Sequence, residues 1–216
     1  MKGGCIVVKV DVIIAVYNAE STIEECVKSA AHQVIPEDFL IQNIHFDICI
    51  CCYNDASTDK SLDILHSLDK EERNYCNNNA SMKTKLLIGT APIGIASRGA
   101  GYARNQAVKL RDEYENNTDK EINRNACAQH HFLCILDSDD ILKPTRIAEQ
   151  TCAMLSLSEE VREKTLMGCQ FERIPKDATH HYSQWANSIS DERLYLEQFR
   201  ECTLVSRYLH ASILLV

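Results

Sequence analysis

The sequence predicts an α/β domain, a Rossmann-like, mostly parallel sheet with helices on its faces. Two observations predict it. Short apolar runs alternate along the chain with segments whose apolar residues recur at helical spacing, the order of strands joined by crossover helices. The runs also end in Asn, Asp and Glu, at the carboxyl ends of strands, where open α/β sheets bind ligands. With 216 residues, 45% hydrophobic and 25% charged, the chain is long enough for one domain and too apolar to be disordered overall.

The elements follow in order. Residues 10–16 (Val-Asp-Val-Ile-Ile-Ala-Val) are rich in β-branched side chains and read as a buried first strand. Ser21-Thr22-Ile23-Glu24 has the form of a capping box and opens a helix carrying Ile23, Val27 and Ala30. A second strand spans 46–52, and the turn 54–59 leads into a helix with the stripe Leu62, Leu65 and Leu68. Residues 86–88 form a third strand. The Gly-containing loop 94–101 enters a helix over 102–111. A fourth strand, 132–136, runs straight into Asp137-Ser138-Asp139-Asp140. Pro144 suits the first turn of a helix that reaches about Leu157, and 166–171 reads as a fifth strand. Segments 69–83 and 112–129, rich in Asn and charge, read as inserts, either exposed loops or frayed helix extensions, within a domain spanning 1–202. The apolar tail 203–216 ends the chain in a way that implies a buried terminus, an interface or a chain cut short.

Composition removes several function classes. A net charge of −8 argues against tight non-specific nucleic-acid binding by this chain, because phosphate contacts need clustered Lys and Arg. No apolar run is long enough to span a membrane. Lys9 and Asp11 interrupt the N-terminal apolar stretch, so it is not a signal-peptide core. The eleven cysteines are expected to be reduced. Cys49, Cys51, Cys52 and Cys134 lie inside apolar runs and read as small buried hydrophobes, which places the chain in the cytoplasm. No Walker loop or H-E-x-x-H is present, and Gly99-Ala-Gly101 lacks the third Gly of a dinucleotide fingerprint.

The chemistry concentrates at the acidic end of the fourth strand. Crowded carboxylates repel one another unless something neutralises them. A hard cation such as Mg²⁺ or Mn²⁺ does this with one or two carboxylates, completing its shell with phosphates and water. The spacing puts Asp137 and Asp139 on one side of an extended segment. A solvated acidic turn is the plainer alternative. Tyr17-Asn18-Ala19-Glu20, Asn54-Asp55 and Arg104-Asn105 lie at other strand-to-helix loops. Singly, each suits a cap, a turn or, for Arg104, a surface salt bridge; together they suit a nucleotide-diphosphate site.

Residues 12–20, 54–59, 101–105 and 132–140 with Pro144, in this order, resemble the blocks of family 2 glycosyltransferases. The resemblance implies the GT-A fold, incomplete here at its C-terminus, a UDP-sugar donor and inverting, metal-assisted transfer to an acceptor hydroxyl. It implies that Ala15, Tyr17, Asn18 and Glu20 line the nucleotide. Asn54 would read the uracil beside Asp55, and Arg104 and Asn105 would face the nucleotide or its phosphates. Asp137 and Ser138 would lie near the ribose, and Asp137 and Asp139 would hold Mn²⁺ or Mg²⁺. Within the family, 97–108 and 167–185 resemble most the queuosine-tRNA galactosyltransferase branch, which implies galactose and a tRNA acceptor. The family's general base is a later carboxylate, often in Glu-Asp. The 76 residues after Asp140 (216 − 140) contain no such pair. The sequence therefore also admits a non-catalytic fragment that only binds nucleotide or a partner.

Overall fold

The computed structural model describes residues 6–37, 44–72, 81–117, 128–175, 178–190, 193 and 213–215. It divides into two compact units, residues 1–149 and 150–215.

The first unit is a parallel sheet flanked by helices, as the sequence predicts. Strands β1 (Ile6–Val16), β2 (Ile44–Asn54), β3 (Met82–Thr90) and β4 (Ala128–Asp137) run in the order β3-β2-β1-β4. Every neighbouring pair is parallel, with Ala15 aligned to both Tyr53 and Asp137. The centre of β1 is apolar on both faces: Val8, Val10, Val12, Ile13, Ile14 and Val16 are fully buried. This is the composition that a doubly covered parallel strand requires. Helix α1 (Ile23–Ala31) buries Ile23, Cys26, Val27 and Ala30, and α2 (Ser61–Glu72) buries Leu65 and Leu68.

Several local expectations are corrected. The capping box does not form. Helix α1 starts after Thr22 without a side-chain cap, the Ala19 carbonyl accepts the N–H groups of Thr22 and Ile23, and Glu24 instead pairs with Lys28. The single helix expected over 102–111 is two, α3 (Ala100–Ala107) and α4 (Leu110–Asn117). Residues 112–117 form the helical extension that is one of the two expectations for this insert, while 128–129 belong to β4. Likewise 69–72 lie in α2 and 82–83 in β3. Segments 73–80 and 118–127 lie outside the described residues. Pro144 precedes its helix, α5 (Arg146–Leu155), and its carbonyl accepts the Val34 N–H at 2.7 Å.

Close packing pins α4 to the sheet. A Cβ on Gly89 would stand 2.9 Å from both Leu110 Cδ2 and Tyr53 Cδ2. Gly89→Ala therefore forces a shift of ring or strand, and a loss of about 1–3 kcal/mol in denaturant titration is expected. The break before α4 also carries Arg111 into a charged cluster. Its guanidinium bonds the Asp11 carboxylate and the Asp47 carbonyl, while His131 Nε2 lies 2.8 Å from Asp11 Oδ2. Lys9 pairs with Glu115 at 2.8 Å. Partial burial alone would raise the Glu115 pKa. The Lys9 hydrogen bond, the Lys9 charge and Arg111 outweigh it and hold the carboxyl below its ordinary range. A lowered carboxyl pKa stabilises the fold above the ordinary glutamate pKa, and that contribution is lost as pH falls through the lowered value. Glu115→Gln should flatten this acid limb of a stability–pH profile.

The second unit contains α6 (Glu159–Arg162), α7 (His180–Ser188) and β5 (Ile213–Leu215). The strand expected over 166–171 is absent; only Met167 makes a bridge. The segment's backbone is satisfied by side chains instead. Gln150 Nε2 donates to the Gly168 carbonyl, and the Asn187 amide exchanges two bonds with the Phe171 backbone. Of the tail 203–216, only 213–215 are described.

Candidate functional site

The carboxyl ends of β1, β2, β3 and β4 lie in register, so the loops leaving them share one edge. Two of these loops are joined by backbone-to-side-chain bonds. Asn18 N–H donates to Ser57 Oγ at 3.0 Å, Ala19 N–H to Ser61 Oγ at 2.8 Å and Glu20 N–H to Asp59 Oδ2 at 2.9 Å. In return Asn18 Oδ1 accepts the Thr58 N–H at 2.8 Å, and Glu20 Oε2 accepts that of Lys60 at 3.0 Å. Asn18 takes a φ of 50°, a left-handed conformation that Asn tolerates better than most residues. Asn18 and Glu20 therefore hold this edge together. Sequence reasoning missed their partners Ser57, Asp59 and Ser61. The only signal was the density of Ser, Thr and Asp in 54–61, which reads equally well as a solvated turn.

Asn54 ends β2, Asp55 follows it, and both are buried. The Asn54 amide is used at both ends, donating to Thr90 Oγ1 and accepting the Ser57 N–H. One oxygen of Asp55 takes three donors: Ser97 Oγ at 2.7 Å, Arg98 N–H at 2.7 Å and Gly99 N–H at 2.8 Å. Gly99 has a φ of 90°, so a side chain there would be strained. Asp55 thus fixes the entry to α3. That helix presents Arg104, whose Nη2 bonds Asp137 Oδ1 at 2.5 Å.

Two buried polar atoms at this edge have no partner among the described residues: Asp55 Oδ1, an acceptor, and Arg104 Nε, a donor. Buried polar groups are seldom left unsatisfied.

The acidic turn is tight. The Asp140 N–H donates to the Asp137 carbonyl at 3.0 Å, leaving Asp137 and Asp139 exposed and Ser138 half-buried. The donor set suits a hard divalent cation in type, since it offers carboxylate oxygens at a strand end. Among the described residues no three His, Cys, Asp or Glu side chains gather around a common point, and Arg104 already neutralises Asp137. Asp139 has no ion pair among the described residues and remains the available carboxylate. Tyr17 is exposed at the end of β1, Ala15 half-buried and Asn105 exposed. Of the late acids, Asp177, Asp191, Glu192, Glu197 and Glu201 lie outside the described residues.

Beneath the turn, Cys26 Sγ donates to the Asp137 carbonyl at 3.3 Å. Burial, then the charges of Asp140, Asp139 and Asp137, push its thiol well above the ordinary value. Burial also pushes Cys49 up to about 12. Since the thiolate is the reactive form, both should resist alkylation at pH 8 in the native protein and react once it is denatured. Site-resolved mass spectrometry reads this directly; native labelling of either would contradict it.

Residues 11–79 match the family described as glycosyl transferase family 2. The poly(ribitol-phosphate) beta-glucosyltransferase of Bacillus spizizenii is 29% identical over 134 residues, 62% of this chain and 15% of its own. The UDP-Glc:alpha-D-GlcNAc-diphosphoundecaprenol beta-1,3-glucosyltransferase WfaP of Escherichia coli is 30% identical over 141 residues, 65% of this chain and 39% of its own. The crystal structure of S. aureus TarS 1–349 in complex with UDP superposes with a TM-score of 0.40 at 23% identity, covering 68% of this chain and 32% of that one. Among the described residues no helix is long and apolar enough to cross a membrane.

Proposed function

We propose, from the match of residues 11–79 to glycosyl transferase family 2, that the protein transfers a sugar from a UDP-sugar to an acceptor hydroxyl. The observation that carries this is the pair of unpartnered buried atoms, Asp55 Oδ1 and Arg104 Nε, at one sheet edge. A uracil ring offers the N–H that Asp55 lacks, and a diphosphate offers the oxygens that Arg104 lacks. One donor and one acceptor of the Asn54 amide are already used, which favours Asp55 as the base-reading group. The UDP-glucose donor in the name of the E. coli relative supports uridine.

Tyr17 and Ala15 would line the nucleotide, with Asn105 and Ser138 at its margin. Asp139, together with Asp137, would hold Mn²⁺ or Mg²⁺. When bound, the cation neutralises charge on the departing diphosphate. The acceptor oxygen bonds to the anomeric carbon, the bond from that carbon to the phosphate oxygen breaks, and UDP leaves with the electron pair. The acceptor proton passes to a base. Galactose and a queuosine-containing tRNA are the narrower reading, and these rest on the resemblance of 97–108 and 167–185 alone.

The test is thermal. UDP should raise the melting temperature with Mn²⁺ present and much less in EDTA, and Asp139→Asn should remove most of that difference. Equal stabilisation of wild type and variant would sink the assignment. Transfer from labelled UDP-galactose and UDP-glucose, with and without queuosine tRNA, then separates the narrower reading from the broader one.

A further inference from the structure

Resting on that donor reading, we propose that Arg104 is an exchangeable counter-ion. It neutralises Asp137 while the donor edge is empty and passes to the diphosphate when the donor binds, freeing Asp137 for the cation. Nucleotide and metal are then coupled through one side chain.

The bonding of Arg104 points to this. A guanidinium has five donors in a planar fork and is best satisfied by two parallel bonds to one anionic group. Here Nη2 bonds a single oxygen of Asp137 and Nε is buried without a partner among the described residues, so the fork is half used. A phosphate presents two oxygens at the spacing the fork matches, while Asp137 gives it one. The pair is also weak enough to trade. Its side chains are 36% and 53% exposed, and exposed pairs bind their partners only about two- to fivefold more tightly than no pair at all. Meanwhile α3, which carries Arg104, is anchored independently at its entrance by Asp55 on Ser97, Arg98 and Gly99. Only the Arg104 side chain needs to move.

Asp137 and Asp139 sit two residues apart on one turn, and Asp139 has no ion pair among the described residues. In the empty site the cation therefore meets one free carboxylate and one masked by a positive charge. Once the diphosphate draws Arg104 away, it meets two. Linkage requires the reverse as well: metal bound first releases Arg104 toward phosphate and tightens the nucleotide by the same factor.

The experiment measures Mn²⁺ affinity by the paramagnetic signal of free Mn²⁺, with and without UDP, in wild type, Arg104→Gln and Arg98→Gln. Arg98 is the control: it removes one positive charge from the neighbouring loop, where its guanidinium lies over the Tyr102 ring 4.7 Å from the centroid. Arg104→Gln should bind Mn²⁺ about two- to fivefold more tightly than wild type without nucleotide. Arg98→Gln should do so less. In Arg104→Gln the gain that UDP brings to Mn²⁺ should shrink, and UDP should weaken about tenfold while uridine, which has no phosphate, is unaffected. Equal nucleotide-free gains in the two variants, or no gain in Arg104→Gln, overturn the exchange while leaving the donor reading intact, provided wild type binds UDP with Mn²⁺. If wild type binds neither together, the donor reading fails and the exchange with it.

Discussion

Arg111→Ala should lower the stability of the protein by about 3–5 kcal/mol, the cost of stranding a buried charge. The Arg111 and Asp11 side chains are 3% and 1% exposed. Arg111 also donates to the Val10 and Asp47 carbonyls and pairs with Glu115. Removing it leaves the Asp11 carboxylate, among the described residues, with only His131, itself partly exposed. In a domain of this size the loss corresponds to a fall of roughly 6–20 °C in melting temperature. Replacing both partners, Asp11→Val with Arg111→Met, should restore most of it, because no buried charge then remains. A single-variant loss below about 1 kcal/mol would show that water reaches Asp11 and solvates it. Arg111→Lys separates charge from shape. It keeps the positive charge but cannot reach a carboxylate and a carbonyl at once, so an intermediate loss is expected.

Asp55 governs the second large effect. Asp55→Ala strands the Ser97 hydroxyl and the N–H groups of Arg98 and Gly99, each of which now bonds one anionic oxygen. Bonds to a charged group are worth about 1.5–3 kcal/mol apiece and are not additive, so a stability loss of about 2–4 kcal/mol is expected. Asp55→Asn is the sharper test. Its carbonyl oxygen can still take the three donors, so the fold should lose less than about 1 kcal/mol. Its amide, however, replaces the unpartnered oxygen with a donor. UDP affinity should fall at least about tenfold, or 1.4 kcal/mol. Equal UDP affinity in wild type and Asp55→Asn, by calorimetry, would remove Asp55 from base recognition and return that role to another group at the edge.

Much of this organisation is legible in the chain. Strand order in sequence, the helices between strands and the acidic end of β4 all follow from apolar periodicity, because one face or both must leave water. Lengths were less legible. Strand β3 extends to Met82 although only 86–88 read as a strand, since Lys83, Thr84 and Lys85 hide the pattern; Lys85 lies over the Tyr114 ring at 3.4 Å. The capping box and the strand at 166–171 failed for different reasons. At the first, the neighbouring Ala19 carbonyl accepts the N–H groups of Thr22 and Ile23; at the second, Asn187, 16 residues further on, supplies the partners of Phe171.

What the sequence determined by itself is the sheet and the edge on which its polar loops fall, because burial and strand direction are set by residues near one another in the chain. What only the tertiary structure decided is which polar group meets which. Lys9 and Asp11 look like flaws in an apolar strand until α4 brings Glu115 and Arg111 to them, 106 and 100 residues away. Asn18 and Asp55 each give one oxygen to a partner 40 and 44 residues along the chain, Thr58 and Gly99, that no local pattern names. A polar side chain's role depends on partners that chain folding selects, and in a low-dielectric interior each unmet partner costs too much for the selection to be left to local sequence.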